Sequence, residues 1–418
     1  MIKLINFFKF LGPGIIAASA AIGTSHLIQS TRAGGYFGFE LLWVVIVINI
    51  IKYPFIEYGF RYSAVKKENL LQGYNRLSPK LLIIFLIINA IAAIGCISAV
   101  SYIGAGILKS IINTEIAVNH LSLIIIVASA VIIIIGRYEY LDNIMKIFMV
   151  ILLIATSLAA ILAFSSAEHY IAQPFYDESA WSWKHLPFII ALMGWMPAPI
   201  EISVWYSLWL EAKNKEAEKL NFQKARLDFN CGYFLMIITA IFFVSMGALI
   251  LHNSTQEISN NAVIFSSQLI SSYVSVIGNW SKPIISVAIL AAILSTVLVV
   301  VDAYPRSISA GILILRKKEN NQKYSRILQN ITIASSCALS FIVIEFFVRN
   351  FKSLIDVVTI LAFISAPLFA YMNYRLVNNK TFPEKYQPKK WLKILSYVGF
   401  IYMVFFCIVY LYSLASFT

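Results

Sequence analysis

Two short runs in this 418-residue chain join backbone breakers to side chains that can bind an ion or move a proton. The first is Gly23-Thr24-Ser25-His26. The second is Met196-Pro197-Ala198-Pro199-Ile200-Glu201. Both sit inside otherwise apolar stretches. Proline removes a backbone donor and clashes with the preceding turn, so Pro197 and Pro199 predict a helix broken midway. Gly23, Thr24 and Ser25 are weak helix formers and predict a matching interruption. His26 follows the first break and Glu201 the second. Facing one cavity, an imidazole and a carboxylate can ligate a metal with the freed carbonyls, or pass a proton between them. The structural alternative is a hydrogen-bonded pair that braces the two helices. Thr24 and Ser25 add hydroxyls near half-helix amides, where anions are attracted. Arg32, further along, either steers an anion or reaches toward the membrane interface.

These runs must be positioned by membrane helices. Hydrophobic residues make up 60% of the chain and charged residues 13%, and the mean hydropathy is +0.78. A soluble domain is about half apolar and about a quarter charged. Eleven apolar segments are predicted, near 13–33, 38–60, 81–108, 120–136, 143–164, 187–210, 228–251, 283–303, 327–347, 354–377 and 392–415. Each is close to the ~20 residues a crossing needs. Residues 262–278 are amphipathic and read as a surface or covering helix. Basic residues crowd alternate loops: Arg61 to Lys80, Lys213 to Arg226, Arg306 to Arg326 and Arg375 to Lys390. By the positive-inside rule this predicts a cytoplasmic N-terminus, an external C-terminus and a multi-pass protein of the cell membrane.

The formal charge of +13 belongs to those loops, so no nucleic acid partner is expected. Cys96, Cys231, Cys337 and Cys407 are far apart, with no metal-binding spacing. Nucleophile–base arrangements, phosphate loops and HExxH motifs are absent, which argues against an enzyme, and no cofactor is expected. The partners expected are a small ion or solute and the lipid bilayer. Lys52 and Glu57 read as a pair within segment two, and Asp302 as paired with Arg306. Ser98, Ser101, Tyr102 and Ser365 are further candidates to line a cavity.

The two breaks occupy the first helix of each five-helix half. Five is odd, so the halves have opposite orientations, the layout of inverted-repeat transporters. The expected units are a first repeat over 1–165, a second over 166–378, and a loop with span eleven over 379–418. The predicted fold class is an all-α polytopic membrane protein with a 5+5 inverted repeat, broken helices one and six, and an eleventh helix.

Gly12-Pro13-Gly14, Ala33-Gly34-Gly35-Tyr36-Phe37-Gly38 and Leu41-Leu42-Trp43 carry a resemblance. They resemble the Nramp family (natural resistance-associated macrophage proteins), proton-coupled divalent metal transporters with the LeuT-like fold. The likeness is clearest over 11–45 and 191–210. It implies a secondary transporter working by alternating access, with symport of protons. The family's metal-binding Asp-Pro-Gly-Asn is replaced here by Gly23, Thr24, Ser25 and His26. Its Met-Pro-His-Asn falls on Ala198, Pro199, Ile200 and Glu201 in a gapless match, or starts at Met196-Pro197 with a two-residue shift. Its acidic proton path in segment three corresponds to Asn89 and Ala92.

A thioether with a carboxylate selects transition metals, and a dication without an anionic ligand is poorly compensated in the membrane. The chain therefore reads as a divergent member. The first expectation is an atypical divalent-cation transporter, its ligands drawn from His26, Glu201, Met196 and carbonyls near Ile22 and Pro197. The alternatives are a transporter of a small organic or anionic solute held by Thr24, Ser25 and His26, and a non-transporting membrane scaffold.

Overall fold

The structure is a computed structural model that describes residues 12–136, 138–165, 179–216, 222–252, 258–348 and 351–417. Among these every regular element is helical. Segment one starts as α1 (Pro13–Ala21), continues as a π-helix, π1 (Ile22–Ser30), and ends as α2 (Thr31–Phe37). The expected unwinding at Gly23 is thus corrected. The α-helical ladder is interrupted, but the backbone stays coiled. The cause is local. Ser25 Oγ donates to the carbonyl of Ala21 at 2.6 Å, and His26 Nδ1 lies 2.8 Å from the same oxygen. Side chains that compete for a helix carbonyl widen the turn.

Segment six breaks as its prolines require. α8 (Leu186–Trp195) and α9 (Ile202–Glu216) flank residues 196–201, and the Met196–Pro197 bond is cis. The remaining helices are α3 (Leu42–Lys66), α4 (Leu70–Leu77), α5 (Pro79–Ile112), α6 (Val118–Ile135), α7 (Tyr138–Ser165), α10 (Phe222–Met246), α11 (Ala262–Ile277), α12 (Lys282–Leu315), α13 (Gln322–Phe347), α14 (Phe351–Val377) and α15 (Lys390–Phe417). A π-turn, Gly247–Leu251, extends α10. Among the described residues eight helices are long and apolar enough to cross a membrane. Segment one, the half-helices of segment six and the apolar part of α7 supply the other three expected spans. The short α4 was not anticipated. It is set by a capping box in which Asn69 accepts from the Gln72 N–H while Gln72 accepts from that of Asn69, both at 3.1 Å.

α12 is the axis of the bundle, with 72% of its apolar window buried, whereas the windows of α6, α13 and α15 are 28% buried. The outward faces of these three helices carry Ile124, Val127, Ile331, Ile342, Ile401 and Ile408. Apolar side chains spaced three, seven or eleven apart lie on one helix face, and such a face turned outward suits lipid contact. α11 packs on α5, α7 and α12, so it covers the body rather than crossing it.

Segment one is anchored at its start. The buried Asp228 carboxylate of α10 accepts from the N–H groups of Gly12 and Gly14, each at 2.8 Å. Tyr206 of α9 donates to the same carboxylate at 2.8 Å. A carboxylate at a helix start satisfies orphan amides and complements the helix dipole. Gly14 also lets α1 touch α10: a Cβ there would lie 2.2 Å from the Asp228 carbonyl oxygen. Removal of the carboxylate in Asp228→Ala leaves three buried donors open and is expected to cost about 3 kcal/mol, against about 1 kcal/mol for Tyr206→Phe. Thermal unfolding of the purified protein in detergent measures both. Equal midpoints for Asp228→Ala and wild type would contradict this anchoring.

Candidate functional site

α8 ends mid-bundle, and its last carbonyls have no intrahelical partners. Lys52 of α3 meets them. Its Nζ donates to the carbonyls of Met193 at 2.6 Å, Gly194 at 2.7 Å and Ala198 at 3.3 Å, and the side chain is fully buried. The positive charge thus sits at the negative end of a half-helix. Gly194 makes the arrangement possible, since a Cβ there would come 1.8 Å from the Thr359 carbonyl oxygen of α14. The expected Lys52–Glu57 pair is not formed. Glu57 pairs with Arg61 one turn away, and Lys52 turns to the broken helix.

Glu201 stands at the start of α9 and is 2% exposed. One oxygen, Oε1, accepts from the Tyr304 hydroxyl at 3.2 Å. The other, Oε2, has no hydrogen-bond partner. Its charge and that of Lys52 interact without a hydrogen bond between them. Tyr304 also meets the Cys96 thiol and packs edge-on against Trp205, with ring centres 4.7 Å apart. A buried carboxylate with an open oxygen, beside carbonyls at a helix break, is an arrangement that holds a cation.

A cavity of ≈ 30 Å³, room for about one water molecule, lies beside this pair, on the far side of Tyr304 and Trp205; Glu201 and Lys52 do not line it. Ser25 and Ala21 line it from segment one, Ala198, Pro199 and Trp205 from segment six, and Cys96, Thr296 and Tyr304 from α5 and α12. Gly23 allows the close approach of π1 to α12, because a Cβ there would meet Thr296 Oγ1 at 1.9 Å. Ser25 also donates to the Pro197 carbonyl at 3.3 Å, which ties the two interruptions together.

The residues singled out in the sequence divide between the cavity and its supports. Ser25 and Ala198 face the cavity. The Thr24 side chain lies outside the described residues. Met196 directs its sulfur to the Ser30 hydroxyl at 3.9 Å. His26 is not paired with Glu201. Its Nδ1 lies against the Ala21 carbonyl, and its Nε2 is 2.8 Å from the Met236 carbonyl of α10. Both ring nitrogens therefore face backbone oxygens, and the ring braces π1 against α10. Asn89 donates to Ser307 at 2.8 Å, and its own oxygen has no partner. Among the described residues no group of three or more His, Cys, Asp or Glu side chains comes together to hold a metal. The donors that line the cavity are hard oxygens apart from the Cys96 thiol, while the Met196 thioether of the break turns to Ser30.

Polar contacts bridge the helices on both sides of the cavity. On one side Arg32 of α2 makes a two-pronged ion pair with Asp356 of α14, at 2.7 and 3.0 Å. Gln29 accepts from Arg32 at 2.8 Å and donates to Asp356 at 3.2 Å. Arg32 is 3% exposed, so it does not reach the interface. The Phe188 ring lies 5.0 Å from its guanidinium. Beyond this pair opens a polar vestibule of ≈ 380 Å³. On the side of the basic loops, Asn373 of α14 donates to the Phe55 carbonyl at 2.9 Å and to Ser203 at 2.8 Å, while Tyr74 of α4 donates to Asn373. The expected Asp302–Arg306 pair is present, at 2.6 and 2.9 Å.

Comparison with known proteins follows the same lines. Residues 14–413 match the family described as Nramp, natural resistance-associated macrophage protein-like. An uncharacterized protein of Pasteurella multocida is 35% identical over 407 residues, covering 97% of this chain and 92% of that protein. A divalent metal cation transporter of Acidiphilium cryptum is 33% identical over 89 residues, 21% of each chain. Among solved structures, a manganese transporter of Eremococcus coleocola superposes with a TM-score of 0.68 at 13% identity, covering 99% of this chain and 88% of that one. Mhp1, a nucleobase-cation-symport-1 family transporter, superposes with a TM-score of 0.59 at 14% identity, covering 96% and 92%. At such identities these likenesses show the fold. The match over nearly the whole chain shows more: this protein belongs to the Nramp family, as a secondary membrane transporter with the LeuT-type arrangement of helices.

Proposed function

We propose that the protein carries a divalent metal cation, held with part of its water shell, through the break in segment six by alternating access. The observation that carries this reading is Glu201, a buried carboxylate with one open oxygen beside the freed carbonyls of a broken membrane helix. Oxygen donors with a single carboxylate suit a loosely held, partly hydrated ion of the magnesium or manganese kind. The family's usual Asp and Met are missing, so selection for soft transition metals is weak. Membership of the Nramp family and the likeness to manganese transporters support a metal cargo.

In this reading repeats 1–165 and 166–378 move against one another, with span eleven outside them. Opening the Arg32–Asp356 contact exposes the site to the vestibule, and parting Asn373 from α3 and α9 exposes it to the other side. The basic loops face the cytoplasm, with the N-terminus inside the cell and the C-terminus outside. Asn89, which donates to Ser307, belongs to the proton path between α5 and α12 in this reading.

Two outcomes are expected. In proteoliposomes loaded with a metal-sensitive dye, wild type takes up Mn²⁺, and Glu201→Gln lowers the initial rate by about tenfold or more, since the site then has no anion. Uptake by Glu201→Gln at the wild-type rate would contradict the reading. Cys96 lines the cavity and reports the outer closure. In a background lacking the other three cysteines, a membrane-impermeant maleimide is expected to label Cys96 about tenfold faster once Asp356→Asn removes the partly buried ion pair. Equal labelling rates would show that this pair does not close the route.

A further inference from the structure

We propose that the Lys52 ammonium is a tethered stand-in for the cargo. It fills the carbonyl ring at the end of α8 when no ion is bound, and a free cation binds by displacing it. Three carbonyl oxygens converge on Nζ, two of them at 2.6 and 2.7 Å, and the side chain is fully buried. Each carbonyl oxygen has two lone pairs, but an ammonium and a dication cannot share the one position on which the three oxygens converge. Lysine suits the exchange, because it is a compact point charge on a flexible four-carbon stem. Its counter-charge is already in place: Glu201 interacts with it through space and keeps Oε2 open. Lys52 and Glu201 therefore balance one another, with no uncompensated carboxylate in the membrane.

The contacts also say what Lys52 does to affinity. An ammonium beside the site repels an incoming dication. Lys52 is then the residue that keeps cargo binding weak and releasable, and it decides against ions that cannot repay its displacement. This inference rests on the metal-cation reading above and adds a specificity-determining residue to it. The competing account makes Lys52 a structural cap for α8 and nothing more.

Mn²⁺ binding to the purified full-length protein, read from the loss of the free-ion EPR signal, separates the two accounts. Lys52→Gln retains an amide to cover the carbonyls without a charge, and Lys52→Met removes both. Each is expected to bind Mn²⁺ at least about tenfold tighter than wild type, and the gain disappears in Lys52→Gln/Glu201→Gln. Lys52→Arg keeps the charge and binds no tighter than wild type. Neutral variants with a wild-type elution profile and no gain would overturn the proposal, as would a tenfold gain in Lys52→Arg, whatever the stability of the others. Absence of Mn²⁺ uptake by wild type, with a Glu201-dependent gain in Lys52→Gln, would remove the proposed cargo and leave the tethered cation standing. Uptake by wild type without that gain would remove the tethered cation alone.

Discussion

Backbone carbonyls left open inside a membrane have no water to turn to, and their satisfaction constrains everything around them. Here the carbonyls at the end of α8 are met by the Lys52 ammonium. That choice brings a positive charge into the middle of the bundle, which needs a negative partner nearby. Glu201 supplies it, from the start of the very next half-helix. Tyr304 and Trp205 then position and shield the carboxylate, and Gly194 keeps α8 pressed to α14. The cavity follows from the break, and the charge balance beside it follows from one lysine and one glutamate.

The two interruptions answer the same constraint differently. In segment one the side chains of Ser25 and His26 turn back on the Ala21 carbonyl, and the helix widens without opening. It is satisfied from within and offers the cavity little besides the Ser25 hydroxyl. In segment six two prolines remove donors, the backbone leaves the helix, and partners must come from elsewhere. The buried charges nearest the interruptions thus lie in segments two and six, as Lys52 and Glu201, where the family resemblance implies a carboxylate in segment one. This accounts for a site that lacks the family's Asp, Asn and Met yet keeps a carboxylate at the break.

Periodicity and composition make most of the fold legible. The eleven spans, the covering helix, the double-proline break and the Asp302–Arg306 pair can all be read along the chain, because each depends on near neighbours. Glu201 is legible as an ionisable residue just past a break. Lys52 is visible too, as a charge in an apolar run, but its partners lie about 140 positions away and depend on how α3 is rotated against α8. Glu57–Arg61 shows the remaining ambiguity. Its one-turn spacing was the better match for Glu57 than Lys52, and it leaves the lysine for the broken helix. His26 and Arg32 were misread for a related reason. Their partners, the Met236 carbonyl and Asp356, come from helices more than two hundred residues further on.

Anomalous X-ray scattering from crystals grown with Mn²⁺ locates the cargo directly. The cation site described here requires a manganese peak within coordination distance of the Glu201 carboxylate and the α8 carbonyls, with the Lys52 amine drawn away from Met193 and Gly194. A peak elsewhere in the bundle, with Lys52 still seated on those two oxygens, would contradict it.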